Sequence, residues 1–267
     1  MSLTWTKPSR LFGAPSAPVR PVRLSADSTE GRLVYAVGDI HGRRDLLQMI
    51  VRKISVDAIA SGATEQPILI FLGDYVDRGP ESAGVISYIL ALRELHGFEV
   101  RCLKGNHEQT LLKFLEDPAI GPMWLEHGGG STLASYGIVA PTRRADAAAW
   151  EAASKAFAEA LPADHLAFYQ GLELSITLGD YFFVHAGVRP GVGLADQSED
   201  DLLWSRGEFL SERRPFEKII VHGHTPCETA YIGPTRIGVD TGAYATGALS
   251  AARLDGVSRE AISTLED

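Results

Sequence analysis

Cysteine is scarce in this chain: Cys102 and Cys227 are the only two, they lie far apart, and neither belongs to a CxxC pair. That argues against a disulfide framework or a cysteine-built zinc site and fits reduced, partly buried thiols in a cytoplasmic protein. Long apolar runs are missing too; none approaches the roughly 18–20 residues that a membrane-crossing helix needs, so no membrane partner is expected. Basic charge is short, with 25 Lys and Arg against 34 Asp and Glu, a net charge of −9. A pI near 5.4 disfavours a broad nucleic-acid surface. Such an acidic body repels phosphorylated ligands unless arginines or metal ions compensate locally. Internal repeats are absent, and the one biased stretch is alanine-rich, at 145–160.

The first residues carry Lys7, Arg10, Arg20 and Arg23 but lack the continuous apolar core of a secretory signal. Pro8, Pro15, Pro18 and Pro21 also oppose an amphipathic targeting helix. Residues 1–30 therefore read as a flexible N-terminal tail, and 31–267 as one domain.

From Arg32 the pattern becomes short apolar runs that end in Gly-Asp or Gly-Asn, each followed by a helix-like stretch. Leu33 to Val37 reads as a buried strand ending at Gly38-Asp39, followed by a helix over 43–54 with Leu46, Leu47, Ile50 and Ile54 on one face. Ile68 to Leu72 is a second strand, ending at Gly73-Asp74, and Pro80-Glu81 opens a helix to about Leu95. Glu99 to Leu103 is a third, ending at Gly105-Asn106-His107, with a helix to about Leu115. This alternation implies parallel strands with right-handed crossovers. Residues 118–170 read as a helical insertion over one end of the sheet. The second half is strand-rich, at 172–178, 181–185, 218–221, 228–232, 235–239 and 247–254, with a hairpin at Gly179-Asp180. Two packed sheets with outer helices are the simplest α/β arrangement.

Metal-binding groups recur at strand ends: Asp39 and His41, Asp74, Asn106 and His107, His185 after Tyr181–Val184, and His222 and His224 after Ile219–Val221. Each alone has a plainer explanation as a turn, a helix cap or a satisfied structural histidine. Together they do not, because independent turns have no reason to place such a group after every strand. The carboxyl ends of neighbouring strands open into one crevice, and this donor set suits two divalent cations such as Mn²⁺, Fe²⁺ or Zn²⁺. His222 fits a core or neighbouring role rather than a ligand, His127 with Gly128-Gly129-Gly130 a loop or flap, and His96 and His165 the surface.

Gly38-Asp39-Ile40-His41-Gly42, Gly73-Asp74-Tyr75-Val76-Asp77-Arg78-Gly79, Gly105-Asn106-His107-Glu108, His185-Ala186-Gly187 and Gly223-His224-Thr225-Pro226 resemble, in order, the motifs of the phosphoprotein phosphatases. These belong to the calcineurin-like metallophosphoesterases, and the resemblance spans about Arg32 to Leu254. The Asp240-Thr241-Gly242-Ala243 variant is similar to bacterial and phage serine/threonine phosphatases. The resemblance implies two mixed β-sheets packed as a sandwich with flanking helices, in four layers. It implies two divalent ions per chain, manganese first with iron or zinc as alternatives. Asp39, His41 and Asp74 would hold one, and Asp74 would bridge to a second completed by Asn106, His185 and His224. A hydroxide shared by the ions would attack phosphorus directly. His107 would be the general acid, oriented by Asp77; Arg78 and Arg206, with Asn106, would bind the phosphoryl group. The expected substrate is a phosphoserine or phosphothreonine protein or peptide. The rival reading is a bis(5'-nucleosyl)-tetraphosphatase, against which Glu108 in Gly-Asn-His-Glu leans. A non-catalytic metal-binding scaffold is opposed by the intact set of residues. Tyr244 falls where eukaryotic members carry a longer aromatic loop, so no regulatory subunit is evident.

Overall fold

The computed structural model describes residues 20–265. Its strands form two five-stranded sheets. The first contains β1 (Leu33–Val37), β2 (Ile68–Phe71), β3 (Glu99–Cys102), β9 (Ser250–Asp255) and β10 (Ser258–Ser263), in the order β10-β9-β1-β2-β3. The second contains β4 (Ser175–Leu178), β5 (Tyr181–Val184), β6 (Ile219–His222), β7 (Tyr231–Ile232) and β8 (Arg236–Gly238), in the order β4-β5-β6-β8-β7. Strands β1, β2 and β3 pair in parallel, as do β5, β6 and β8, while β9 pairs antiparallel with β1 and β10, β4 with β5, and β7 with β8.

Alternation along each strand explains the layers. In β1, Leu33, Tyr35 and Val37 face an outer core shared with helices, whereas Val34 and Ala36 face the space between the sheets. In β5, Tyr181 and Phe183 join that central core, and Phe182 and Val184 point to a third one with Leu202 and Phe209. Strands buried on both faces read as continuous apolar runs, which is why they were legible as strands but not as layers. The result is four layers: helices, sheet, sheet, helices.

On the first sheet lie α1 (Arg44–Ser61), α2 (Ser82–Glu94) and α3 (Asn106–Glu116). Helix α1 runs about two turns past the expected end at residue 54: Ala58 still packs on the outer core, and Gly62 caps the helix in the left-handed region, φ +68°. The helical insertion comprises α4 (Gly121–Glu126), α5 (Gly129–Ser135), α6 (Ala147–Ala160) and α7 (Ala163–Gln170). Its Trp124, Leu133, Trp150 and Phe157 join the same outer core as α1 to α3. His165, expected at the surface, is buried instead, with Nδ1 2.8 Å from Tyr136 Oη and Nε2 3.1 Å from Ser87 Oγ. On the second sheet lie α8 (Glu199–Trp204) and α9 (Gly207–Ser211), and α10 (Ala243–Thr246) precedes β9.

Two other expectations need correction. Strand β10 was not foreseen; its burial is mixed, so it carries no apolar run, and a tight turn at Gly256 returns it along β9. The expected flexible tail ended at residue 30; residues 1–19 lie outside the described residues, but Val22 and Leu24 pack on the central core, and Ser28 Oγ donates to Asp180 Oδ2 at 2.6 Å. Cys102 is buried and Cys227 exposed, both free. Among the described residues, no helix is long and apolar enough to cross a membrane.

Candidate active site

The loops after β1 and β2 interlock at the backbone before any side chain is considered. Ile40 and His41 N–H both donate to Asp74 O, Gly42 N–H to Tyr75 O, and Gly79 N–H to His41 O. This folding is steep. Seven non-glycine residues among those described have positive φ, and five of them are His41, Asp74, Asp77, Arg78 and His224. Such conformations are costly for residues with a Cβ and persist where the surroundings over-determine them, commonly at working sites. Glycine is required beside them: a Cβ at Gly105 would stand 2.1 Å from Asp74 Oδ1.

Glu108 ties these loops together. Its carboxylate is fully buried and accepts from the N–H groups of Asp74 (2.9 Å), Tyr75 (2.8 Å) and Gly105 (2.9 Å). In the sequence it read only as a family marker, because nothing local tells that a helix N-terminal glutamate reaches back to a loop thirty-four residues away.

The sequence-predicted groups converge. Ligand-type atoms of His41, Asp74 and His107 lie within 4.8 Å of one another, and so do those of Asp74, His185 and His224; Asp74 belongs to both groups. His41 Nε2 is 3.5 Å from Asp74 Oδ2, and His185 Nε2 is 3.5 Å from Asp74 Oδ1. Asn106 Oδ1 lies 2.9 Å from His185 Nε2, and His224 Nδ1 lies 3.2 Å from it. Asp39 is outside both groups; its carboxylate accepts from His224 N–H at 3.0 and 3.2 Å, which ties it to the loop that carries a predicted ligand.

The chemistry of this donor set fits divalent cations. His41 Nδ1 is 2.8 Å from Val76 O and His185 Nδ1 is 2.9 Å from Leu72 O. Each carbonyl holds the ring proton on Nδ1, leaving a lone pair on the Nε2 that faces the crevice. Burial keeps these rings neutral, with His41 pushed down to about 3 and His185 also lowered. The His185 lone pair therefore faces the Asn106 carbonyl oxygen, an arrangement of two acceptors that a cation between them satisfies. Spacings near 3 Å suit ligand atoms that each sit about 2 Å from one ion. Carboxylates crowd the same crevice: burial and the neighbouring Asp240 and Asp74 hold Asp39 well above the usual range. Burial also pushes Asp74 up, but the imidazoles around it outweigh this and bring it below the usual range, His107 being the one among them that is pushed toward its cationic form.

His107 differs from the other imidazoles although it lies within reach of Asp74. Its Nδ1 is 2.6 Å from Asp77 Oδ2. Burial pushes its pKa down, yet Asp74 and Asp77 more than reverse this and raise it to about 9. A protonated imidazole is a proton donor and a poor ligand. Asp77 is itself held from the insertion: Trp124 Nε1 donates to Oδ2 at 2.9 Å and Thr132 Oγ1 to Oδ1 at 2.6 Å. The sequence offered no signal for these two residues, which lie 47 and 55 positions away.

Arg78, Asn106, His107, Trp124, Trp204 and Arg206 line a cavity of about 80 Å³. Arg78 and Arg206 thus meet as expected, although no distinctive motif surrounds Arg206; its Nε donates to His224 Nε2 at 3.0 Å. His127 reaches the same cavity from the turn before α5. His222 is buried with its Nδ1 3.0 Å from Gly223 O, so it stays out of the donor set. Tyr244, which has no role in the site by sequence alone, stands beside it with its ring edge-to-face to His41, centroids 5.4 Å apart.

Comparisons with known proteins agree with this geometry. The profile of the calcineurin-like phosphoesterases matches residues 33–254. Serine/threonine-protein phosphatase 1 of Salmonella typhimurium is 30% identical over 230 residues, 84% of this chain and 92% of the relative. Bis(5'-nucleosyl)-tetraphosphatase PrpE of Bacillus velezensis is 27% identical over 225 residues, 77% of this chain and 82% of the relative. A cold-active protein tyrosine phosphatase crystal structure superposes with a TM-score of 0.58 at 20% identity, covering 86% of this chain and 78% of that one, which speaks to the fold alone.

Proposed function

Because the chain belongs to the calcineurin-like phosphoesterase family, we propose that it is a metal-dependent phosphomonoesterase acting on phosphoserine and phosphothreonine in proteins or peptides. Asp39, His41 and Asp74 would hold one divalent ion, and Asp74, Asn106, His185 and His224 a second, with manganese the first choice. Two such ions supply a nucleophile derived from water at neutral pH and offset the charge of the phosphoryl group. The chain's own residues do the rest. Arg78 and Arg206 grip phosphoryl oxygens, for which a planar guanidinium fork is suited. Asn106, on the same wall, helps orient the group. His107 holds a proton at Nε2 for the departing oxygen, with Asp77 fixing the ring through Nδ1. That support from Asp77 persists when cations neutralise Asp74. We place the enzyme in the cytoplasm, in keeping with its unpaired cysteines.

The observation that carries this reading is the buried His107–Asp77 pair, 2.6 Å apart, at the wall of a small cavity flanked by two arginines. A serine or threonine alkoxide is a strongly basic leaving group that must be protonated as it departs. A nucleotide leaving from a polyphosphate chain departs as a weakly basic anion and has little use for such an acid. The tetraphosphatase alternative is favoured by the relatives that bear that name.

The experiment is a substrate panel on the Mn²⁺-supplemented protein: a phosphoserine peptide, a phosphotyrosine peptide, diadenosine tetraphosphate and an aryl phosphate. The highest kcat/KM among the three biological substrates should belong to the phosphoserine peptide. A clear preference for diadenosine tetraphosphate would overturn the substrate assignment and leave the phosphoesterase chemistry standing.

A further inference from the structure

Arg78 is placed to take a phosphoryl oxygen, yet no carboxylate among the described residues stands within ion-pair distance to hold it there. Among the described residues it forms no ion pair with any carboxylate. Its NH2 group lies 3.3 Å from His107 Nε2, a contact that supplies no negative charge. A long, flexible side chain without a counter-ion loses rotamer freedom when it is kept in one place, so some other contact must hold it. What faces it is the ring of Tyr244: Arg78 Cζ lies 4.6 Å from the ring centroid. The same ring stands edge-to-face with His41, ring centroids 5.4 Å apart, so the tyrosine neighbours both the arginine and a metal-site histidine.

We propose that Tyr244 is a positioning residue for phosphate capture, its ring face holding the Arg78 guanidinium in place without neutralising it. The choice of partner follows from the task. A carboxylate would anchor an arginine more firmly, but it would also cancel the charge that the phosphate must meet. An aromatic face attracts the cation through its quadrupole and leaves the fork's N–H groups free at their edge. The element carrying Tyr244 is itself pinned: Arg43 NH1 donates to Ala243 O at 3.0 Å, and Gly242, at φ +67°, opens the short helix α10. Tyr244 remains 41% exposed, so it borders the crevice rather than the core, and replacing it need not unfold the protein.

This inference rests on the reading that Arg78 binds the phosphoryl group, and the test separates the two. Inhibition by inorganic phosphate, KM and kcat for an aryl phosphate, and bound metal per chain would be measured for wild type, Tyr244→Leu, Tyr244→Phe, Arg78→Ala and the double variant Tyr244→Leu/Arg78→Ala. Tyr244→Leu should raise KM and the phosphate inhibition constant about three- to tenfold, with kcat and metal content close to wild type. Uniform loss of ground-state and transition-state binding has this signature. Tyr244→Phe should behave as wild type, because the ring and not the hydroxyl faces the cation. In the Arg78→Ala background, Tyr244→Leu should add nothing. If Arg78→Ala weakens phosphate binding while Tyr244→Leu leaves it unchanged, or if Tyr244→Leu lowers metal content instead, the positioning role is wrong. If Arg78→Ala itself binds phosphate normally, the assignment of Arg78 fails first.

Discussion

The proton expected of His107 is held by contacts that none of the other imidazoles at the site possess. Its Nδ1 rests on Asp77, and Asp77 is in turn fixed by Trp124 and Thr132. His107→Ala should therefore keep the metal content and slow the phosphoserine peptide by about 10²–10⁴-fold, the usual contribution of a general acid. An aryl phosphate with a weakly basic leaving group should lose far less. Parallel kinetics on the two substrates check this, and equal losses would remove His107 from the acid role. At this scale the sequence was generous with the groups that chemistry demands and silent about those that hold them. Asp39, Asp74, Asn106, His185 and His224 announce themselves because each follows a strand. Glu108, Trp124, Thr132 and Tyr244 do not, since each acts across a gap in sequence that only the fold closes.

Among the elements, the helical insertion has the largest unexpected part in the site. Its turn between α4 and α5 packs on the backbone of Arg78: Arg78 N–H donates to Gly128 O at 3.2 Å, and Ser131 Oγ donates to Arg78 O at 3.2 Å. Gly128 stands at φ +101°, and a Cβ there would meet Arg78 N at 2.6 Å. Gly128→Ala should cost about 1–2 kcal/mol from the left-handed backbone alone, a fall in Tm of about 2–8 °C. Because the methyl group displaces Arg78, kcat/KM should fall about tenfold or more. Thermal melts and kinetics on one preparation test both parts. A lowered Tm with unchanged kcat/KM would show that this turn does not set Arg78. The insertion was recognisable as helical from its alanine-rich stretch, but its contribution to the site was not, because Gly128-Gly129-Gly130 reads equally well as a slack loop. Strand β10 was missed for a related reason: an edge strand with mixed burial has no apolar signature.

The whole molecule poses an electrostatic problem that its site must solve. A chain of net charge −9 gathers Asp39, Asp74 and Asp240 into one buried crevice, where burial, resisted by the Gly242 N–H, pushes Asp240 up to about 6. Ionised together, these carboxylates destabilise one another unless cations occupy the space between them. The four-layer architecture was legible in outline because parallel strands bury both faces and their carboxyl ends must share a rim. Which sheet each strand joined was not legible, since period-two burial on both faces leaves no polar face to orient it. The central claim is that this rim holds two divalent ions with Asp74 between them. Its most direct test is a Mn²⁺ titration of chelator-stripped protein, followed by calorimetry and elemental analysis, on wild type, Asp39→Ala and Asp74→Ala. Wild type should bind two ions per chain, Asp39→Ala should keep one, and Asp74→Ala should hold neither tightly. Wild type that binds one ion or none, or Asp74→Ala that still binds two, would contradict the account.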